Sequence, residues 1–295
     1  MILTAGLAFP QSNAYFQDVP PTGSPDSGFF NTIQLAVRVG LAVPSSTGPC
    51  LNGNLPPGAN PPVQQPPSSG GSPGATQSCL YFGPDAIVSR AETAYWVVRS
   101  QMDEAQITSY LCATGGDPSG MTPQCNGGSS ASSFADLGPA GAAIVNPFLG
   151  PTPSLGVAGV TNAQLMRDVT VMVRRGYTQG CSGTIDPQFR FCPNDPVTRA
   201  QMSVFIIRAK FNNVFPTTLS GIPLTTPYGD NFSVPSTPYF TDVTPTDPVW
   251  GPYFIYIQMM RALEITSGTS ATTFSPGNNV TRKEIATFAV RAFFL

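Results

Sequence analysis

The chain has 295 residues, of which only 10% are charged, with a formal net charge of −2 and no histidine. Without a basic stripe it lacks the electrostatic footprint of a nucleic-acid binder. Without imidazole it has no His-based triad, no His metal ligand and no His general base.

Its 41% hydrophobic content is too high for a disordered chain, and its length is enough for a sizeable core. Gly (29) and Pro (32) abound, while Lys210 and Lys283 are the only lysines, so little charge keeps copies of the chain apart. No run reaches the ~18 apolar residues that a membrane span needs. The opening Met1–Pro10 lacks a basic region and is too short for a complete signal peptide, so the expectation is that a leader has been removed or that the sequence is the mature part of something longer.

In chain order, Met1–Ala14 comes first and is too apolar for a solvated tail, which leaves packing on its own domain or docking on a neighbouring subunit. A start, Phe16-Gln-Asp18-Val19, precedes a helix expected over Phe29–Ala42 and ending near Gly40. Pro44–Ser78 is a Pro/Gly/Ser-rich insertion flanked by Cys50 and Cys79, with extended or irregular backbone expected. Then comes Phe82-Gly-Pro84 to Val88-Ser89-Arg90-Ala-Glu92, with Arg99 nine residues beyond Arg90. Ser followed three residues later by Glu is a capping box, so Ser89 starts a helix with Tyr95, Val98 and Met102 on one stripe.

The pattern then recurs twice. Cys112 and Cys125 bracket a Gly-rich connection, followed by the start Phe134-Ala-Asp136-Leu137 and an insertion, Gly138–Thr161. A helix over Ala163–Tyr177 ends at Gly176, Cys181 and Cys192 flank a loop, and Phe191-Cys-Pro193 leads to Val197-Thr198-Arg199-Ala-Gln201, with Arg208 beyond. After the connection Asn212–Thr237, Phe240-Thr-Asp242-Val243 is followed by Trp250 and a helix over Tyr253–Ile265. Glu264 stands there where glycine closed the others, so a different cap is expected. Phe274-Ser-Pro276 then leads to Val280-Thr281-Arg282-Lys-Glu284, with Arg291 beyond.

Each copy reads F-x-P-x-x-x-V-[ST]-R-x-[EQ] without a gap, and such internal repetition decides the architecture. No single amphipathic helix buries its stripe alone, so three copies need one another. The expected fold is mainly α: three helix–loop–helix units in a pseudo-threefold helical bundle, with few or no strands and long Pro/Gly-rich loops closed by disulfides. None of the six cysteines forms a C-x-x-C pair, which excludes zinc-ribbon and thioredoxin-like readings. Six cysteines allow fifteen pairings, and sequential pairing is favoured because each bond then closes one loop.

The F-x-D-V start, the helix ending around Gly and the V-T-R-A-E/Q helix opening together resemble the S-layer-homology (SLH) module. The third copy is closest, with Trp250 where the family's start-proximal Trp is expected. The resemblance divides the chain into an apolar arm at 1–14, units at 15–111 (insertion 44–78), 132–211 and 238–295, and linkers at 112–131 and 212–237. In the family, the Arg and the start Asp contribute to pockets for anionic, often pyruvylated, cell-wall glycan. By resemblance these are Arg90, Arg199 and Arg282, with Asp18, Asp136 and Asp242, and Trp250 as a sugar platform.

Bland readings stand beside these: the arginines pair with a neighbouring unit, the aspartates close turns, and Trp250 is core. Arg99, Arg208 and Arg291 read as structural salt bridges or caps. Glu92 and Glu284 read as capping-box acids, so no catalysis, metal or cofactor is expected. The sequons at Asn231 and Asn279 are weak signals. The expected function is that of a self-assembling subunit of an extracellular layer or filament, since little besides the repeats is present. The alternative is a module anchoring to wall polysaccharide or peptidoglycan.

Overall fold

The computed structural model describes residues 16, 18–19, 25–49, 78–122, 125, 134–150, 159–181, 190–211, 223–225, 231–233 and 237–295. The expectations for Met1–Ala14, and for a bond between Cys50 and Cys79, lie outside them. Among the described residues the protein is mainly helical, with seven α-helices and four short strands. The chain divides into two compact units, residues 1–86 with 148–160 and residues 87–147 with 161–295.

In the first unit a 3-10 turn at Pro25–Phe29 leads into α1, Phe30–Arg38, which buries Phe30, Ile33 and Ala36. Gly40 closes α1 with φ +75, its N–H reaching Val37 O at 3.0 Å while Leu41 N–H reaches Ala36 O at 2.8 Å. A hairpin of β1, Ser46–Pro49, and β2, Ser78–Tyr81, then pairs antiparallel from Ser46 with Tyr81 to Pro49 with Ser78.

The second unit holds α2, Arg90–Arg99; α3, Glu104–Ala113; α4, Asn162–Arg174; and α5, Arg199–Lys210. It continues with β3, Pro223–Thr225, antiparallel to β4, Asn231–Ser233, then α6, Phe254–Ala262, and α7, Arg282–Phe293. The expected cap residues Ser89, Thr198 and Thr281 do stand at the N-caps of α2, α5 and α7. The Ser89 and Thr198 hydroxyls accept the N–H three residues on, which satisfies a donor that the helix itself leaves unpaired.

Two expectations are corrected. The third cap does not differ: Glu264 itself takes φ +57, with its N–H on Arg261 O and Ile265 N–H on Met260 O. That reproduces Gly176 after α4, where Gly176 N–H reaches Val173 O and Tyr177 N–H reaches Met172 O. The hydrogen bonds of the cap outweigh the left-handed cost to a side chain, about 1 kcal/mol. Helix α3 was not expected as a separate element. It is opened by a reciprocal capping box, in which Asp103 accepts from Gln106 N–H and Gln106 from Asp103 N–H. The two hairpins keep to the expected few strands.

Candidate functional site

The segments that open α2, α5 and α7 meet in a closed ring of backbone hydrogen bonds. Val88 N–H donates to Val280 O at 2.9 Å, Val280 N–H to Val197 O at 2.9 Å, and Val197 N–H to Val88 O at 3.1 Å. All three valines are fully buried. The first amides of α2 bond to carbonyls of the second segment, Arg90 N–H to Asp195 and Ala91 N–H to Pro193. Those of α5 bond to the third, Arg199 N–H to Asn278 and Ala200 N–H to Pro276. Helix ends that would otherwise hold orphan donors are thereby locked to one another.

The three motif arginines lie inside this arrangement, at 5%, 3% and 1% exposure for Arg90, Arg199 and Arg282. Arg90 donates through Nε to Phe191 O at 2.7 Å and through Nη2 to Gly180 O at 3.0 Å, with its guanidinium over the Phe191 and Phe205 rings. Arg199 donates through Nε to Phe274 O at 2.8 Å, pairs with Glu284, and lies over Phe274 and Phe288. Arg282 Nε lies 2.9 Å from Glu92 Oε1. Burial lowers the Arg90 and Arg199 guanidinium pKa values, against the opposing pull of Asp195 for the one and Glu284 for the other. Their aromatic and carbonyl surroundings suit a planar guanidinium, which is weakly hydrated.

The capping-box account of Glu92 is overturned. Ser89 still caps α2, but the Glu92 carboxylate turns inward to Arg282 and accepts from Trp96 Nε1 at 3.3 Å. Burial pushes this carboxyl up, partly offset by Arg282 and Trp96. Glu284 does both jobs, accepting from Thr281 N–H at 2.9 Å while pairing with Arg199.

The three aspartates form matching clamps, each carboxylate taking two consecutive backbone amides. Asp18 accepts from Phe82 and Gly83, Asp136 from Phe191 and Cys192, and Asp242 from Phe274 and Ser275, at distances from 2.6 to 2.9 Å. The second residue of each pair has positive φ: Gly83 +70, Cys192 +55, Ser275 +57. In each clamp the Phe ring of the start also packs on the Phe of the block, Phe16 on Phe82, Phe134 on Phe191 and Phe240 on Phe274. Trp250 is half-buried against a cluster of Phe240, Val243, Ile257 and Phe274, 6.1 Å from the Tyr253 ring. Cys112 bonds to Cys125 and Cys181 to Cys192, two of the sequential pairs.

Sequence reasoning missed the charged line joining α2, α3 and α4. Arg99 bonds Asp168 at 2.8 Å and pairs with Glu104, and Arg167 pairs with Glu104 and Asp117. The available signal was Arg167-Asp168 lying between Met166 and Val169 on the buried stripe of α4. Arg208 reaches Tyr177 O and the Tyr256 hydroxyl, and Arg291 is exposed. Among the described residues no group of three or more Cys, Asp or Glu could hold a metal ion, and no helix is long and apolar enough to cross a membrane.

No curated protein matches the chain. One family model does, over residues 239–286, a span containing the Asp242 clamp, Trp250, the Thr281 cap and Arg282. Over that span the chain is similar to the S-layer homology domain.

Proposed function

We propose that the chain is a non-catalytic structural subunit of a cell-surface layer or filament, made of three diverged SLH repeats around a pseudo-threefold axis. The repeats occupy 15–111, 132–211 and 238–295. The observation that carries this reading is the burial of Arg90, Arg199 and Arg282, whose guanidinium groups face carbonyls and carboxylates of another segment. They serve as joints and are not presented to a ligand. The ring of Val88, Val197 and Val280 supports the threefold reading. A surface so poor in charge favours association of copies, and a heterologous contact between copies propagates as an open layer or filament.

The family match favours a second reading, in which the domain anchors the protein to cell-wall polysaccharide or peptidoglycan, with Trp250 and Tyr253 as the aromatic face. Light scattering and wall sedimentation separate the two. The subunit reading expects ordered assemblies of purified protein in the absence of wall, lost on deleting residues 1–14. A monomer that sediments with purified wall sinks it and leaves the anchor.

A further inference from the structure

Helix α3 and the loop after it are an addition to the helix pairs, and charge holds them in place. Only Ile107 and Leu111 of α3 are buried, and Cys112–Cys125 ties its last turn to the following loop. Five charged side chains run in an unbroken line across the joint. Asp168 of α4 accepts from Arg99 Nε of α2 at 2.8 Å, Arg99 also pairs with Glu104 of α3, and the second oxygen of Glu104 pairs with Arg167 of α4. Arg167 continues to Thr108 and, at 3.3 Å, to Asp117 in the loop. Tyr95 on α2 faces Asp168, Arg99 and Glu104 and is itself acted on by Arg282 of α7, while Arg174 of α4 acts on Asp117 and donates to Leu111 O and Gly116 O.

Within the ion-paired line three carboxylates, Asp168, Glu104 and Asp117, face two guanidinium groups, Arg99 and Arg167, so its full ionisation leaves one negative charge in excess, and Arg174 acts on it at Asp117, the end of the line opposite Asp168. Such an excess is costly where solvent is excluded, and one carboxylate keeps its proton more readily than the others. Glu104 is 42% exposed, and Asp117 accepts from Ser119 N–H, the Ser119 hydroxyl and the Thr122 hydroxyl. Asp168 is fully buried; its Oδ2 has no hydrogen-bond partner, nor has Arg99 Nη2 beside it.

We propose that Asp168 is a proton-operated catch that sets how tightly residues 103–122 are strapped onto α4. With Asp168 neutral, the four remaining charges balance and Arg99 is committed to Glu104. With Asp168 ionised, Arg99 is shared between two acids, and the uncompensated negative charge loosens α3. Burial raises the Asp168 carboxyl to about 7, outweighing the pull of Arg99 in the other direction. A folded value above the unfolded one means that the hold is complete below the ordinary Asp range and is lost as pH rises through about 7.

Hydrogen exchange of the intact, oxidised chain, corrected for intrinsic rates, tests this on the amides of 104–113. From pH 6 to pH 8.5 their protection should fall about tenfold, with a smaller change in α5 and α7. Asp168→Asn should hold protection at the pH 6 level throughout. A flat wild-type profile overturns the proposal, as does an Asp168→Asn profile with the wild-type slope. Should that variant fail to fold, the carbon-13 carboxyl titration of Asp168 in the native chain decides. A midpoint near 7 supports the catch, and one in the ordinary Asp range overturns it.

Discussion

The stem formed by residues 178–181 with 190–192 and the stem at 266–275 share backbone hydrogen bonds but close them differently. Cys181 N–H bonds Arg190 O at 2.9 Å just as Thr269 N–H bonds Thr273 O at 2.8 Å, and Thr178 and Thr266 each accept the N–H two residues on. Each stem ends in an Asp clamp around a left-handed residue, Cys192 in one and Ser275 in the other. At the matching positions one stem has the Cys181–Cys192 disulfide, and the other a hydrogen bond of 2.7 Å between the Thr269 and Ser275 hydroxyls. The sequence separations are 11 and 6, and closing the longer loop costs more entropy, which a covalent bond offsets. Backbone geometry is thus the shared element, and side chains adjust the closure to the length of the loop. Gly268 shows how tight that geometry is: at φ +88, a Cβ there would lie 2.6 Å from the Phe240 ring.

The largest effect expected is common to both stems. Asp136→Ala and Asp242→Ala each leave two backbone amides without their acceptor, one of them in a buried Phe, and should each cost about 3 kcal/mol in denaturant unfolding. A loss at one site several times that at the other would break the equivalence. Next, the closures should be exchangeable. Cys181→Thr with Cys192→Ser should fold with a loss of about 2 kcal/mol, and Thr269→Cys with Ser275→Cys should oxidise spontaneously and gain a similar amount. Failure of that second pair to cross-link under air would show that the stems differ.

Smaller again are the helix caps. Glu264→Gly should raise stability by about 1 kcal/mol and Gly176→Glu lower it by as much, read as opposite midpoint shifts at constant slope. The smallest is Gln201→Glu. It would give the Arg90 joint the carboxylate that Glu284 gives Arg199, for about 0.5 kcal/mol at a partly exposed position.

The N-caps at Ser89, Thr198 and Thr281 were legible in the sequence, because capping is a local arrangement of side chain and backbone. The ends of α1 and α4 were legible for the same reason, since Gly40 and Gly176 take a conformation that glycine favours. Glu264 was not, because its strain is offset by cap hydrogen bonds that residue type does not reveal. Asp103 and Gln106 did announce α3, yet the expected pattern of two helices per unit left no place for a third before Cys112. The burial of Glu92 with Arg282 was hidden for a different reason. The capping box explained Glu92 locally, whereas its partner lies in α7, remote in the chain. The Arg and Asp positions recur in the repeat, and the resemblance to the SLH module singled them out as a site. Their turn toward backbone carbonyls and amides depends on packing between segments, which spacing does not encode.

Guanidinium exchange tests most directly whether the motif arginines are internal joints. Nitrogen-15 spectra of the intact chain should show slowly exchanging Nε–H groups for Arg90, Arg199 and Arg282, unshifted by added pyruvylated wall polysaccharide. Fast exchange, or a shift of any of the three on adding the glycan, would contradict the account and make that arginine a ligand donor.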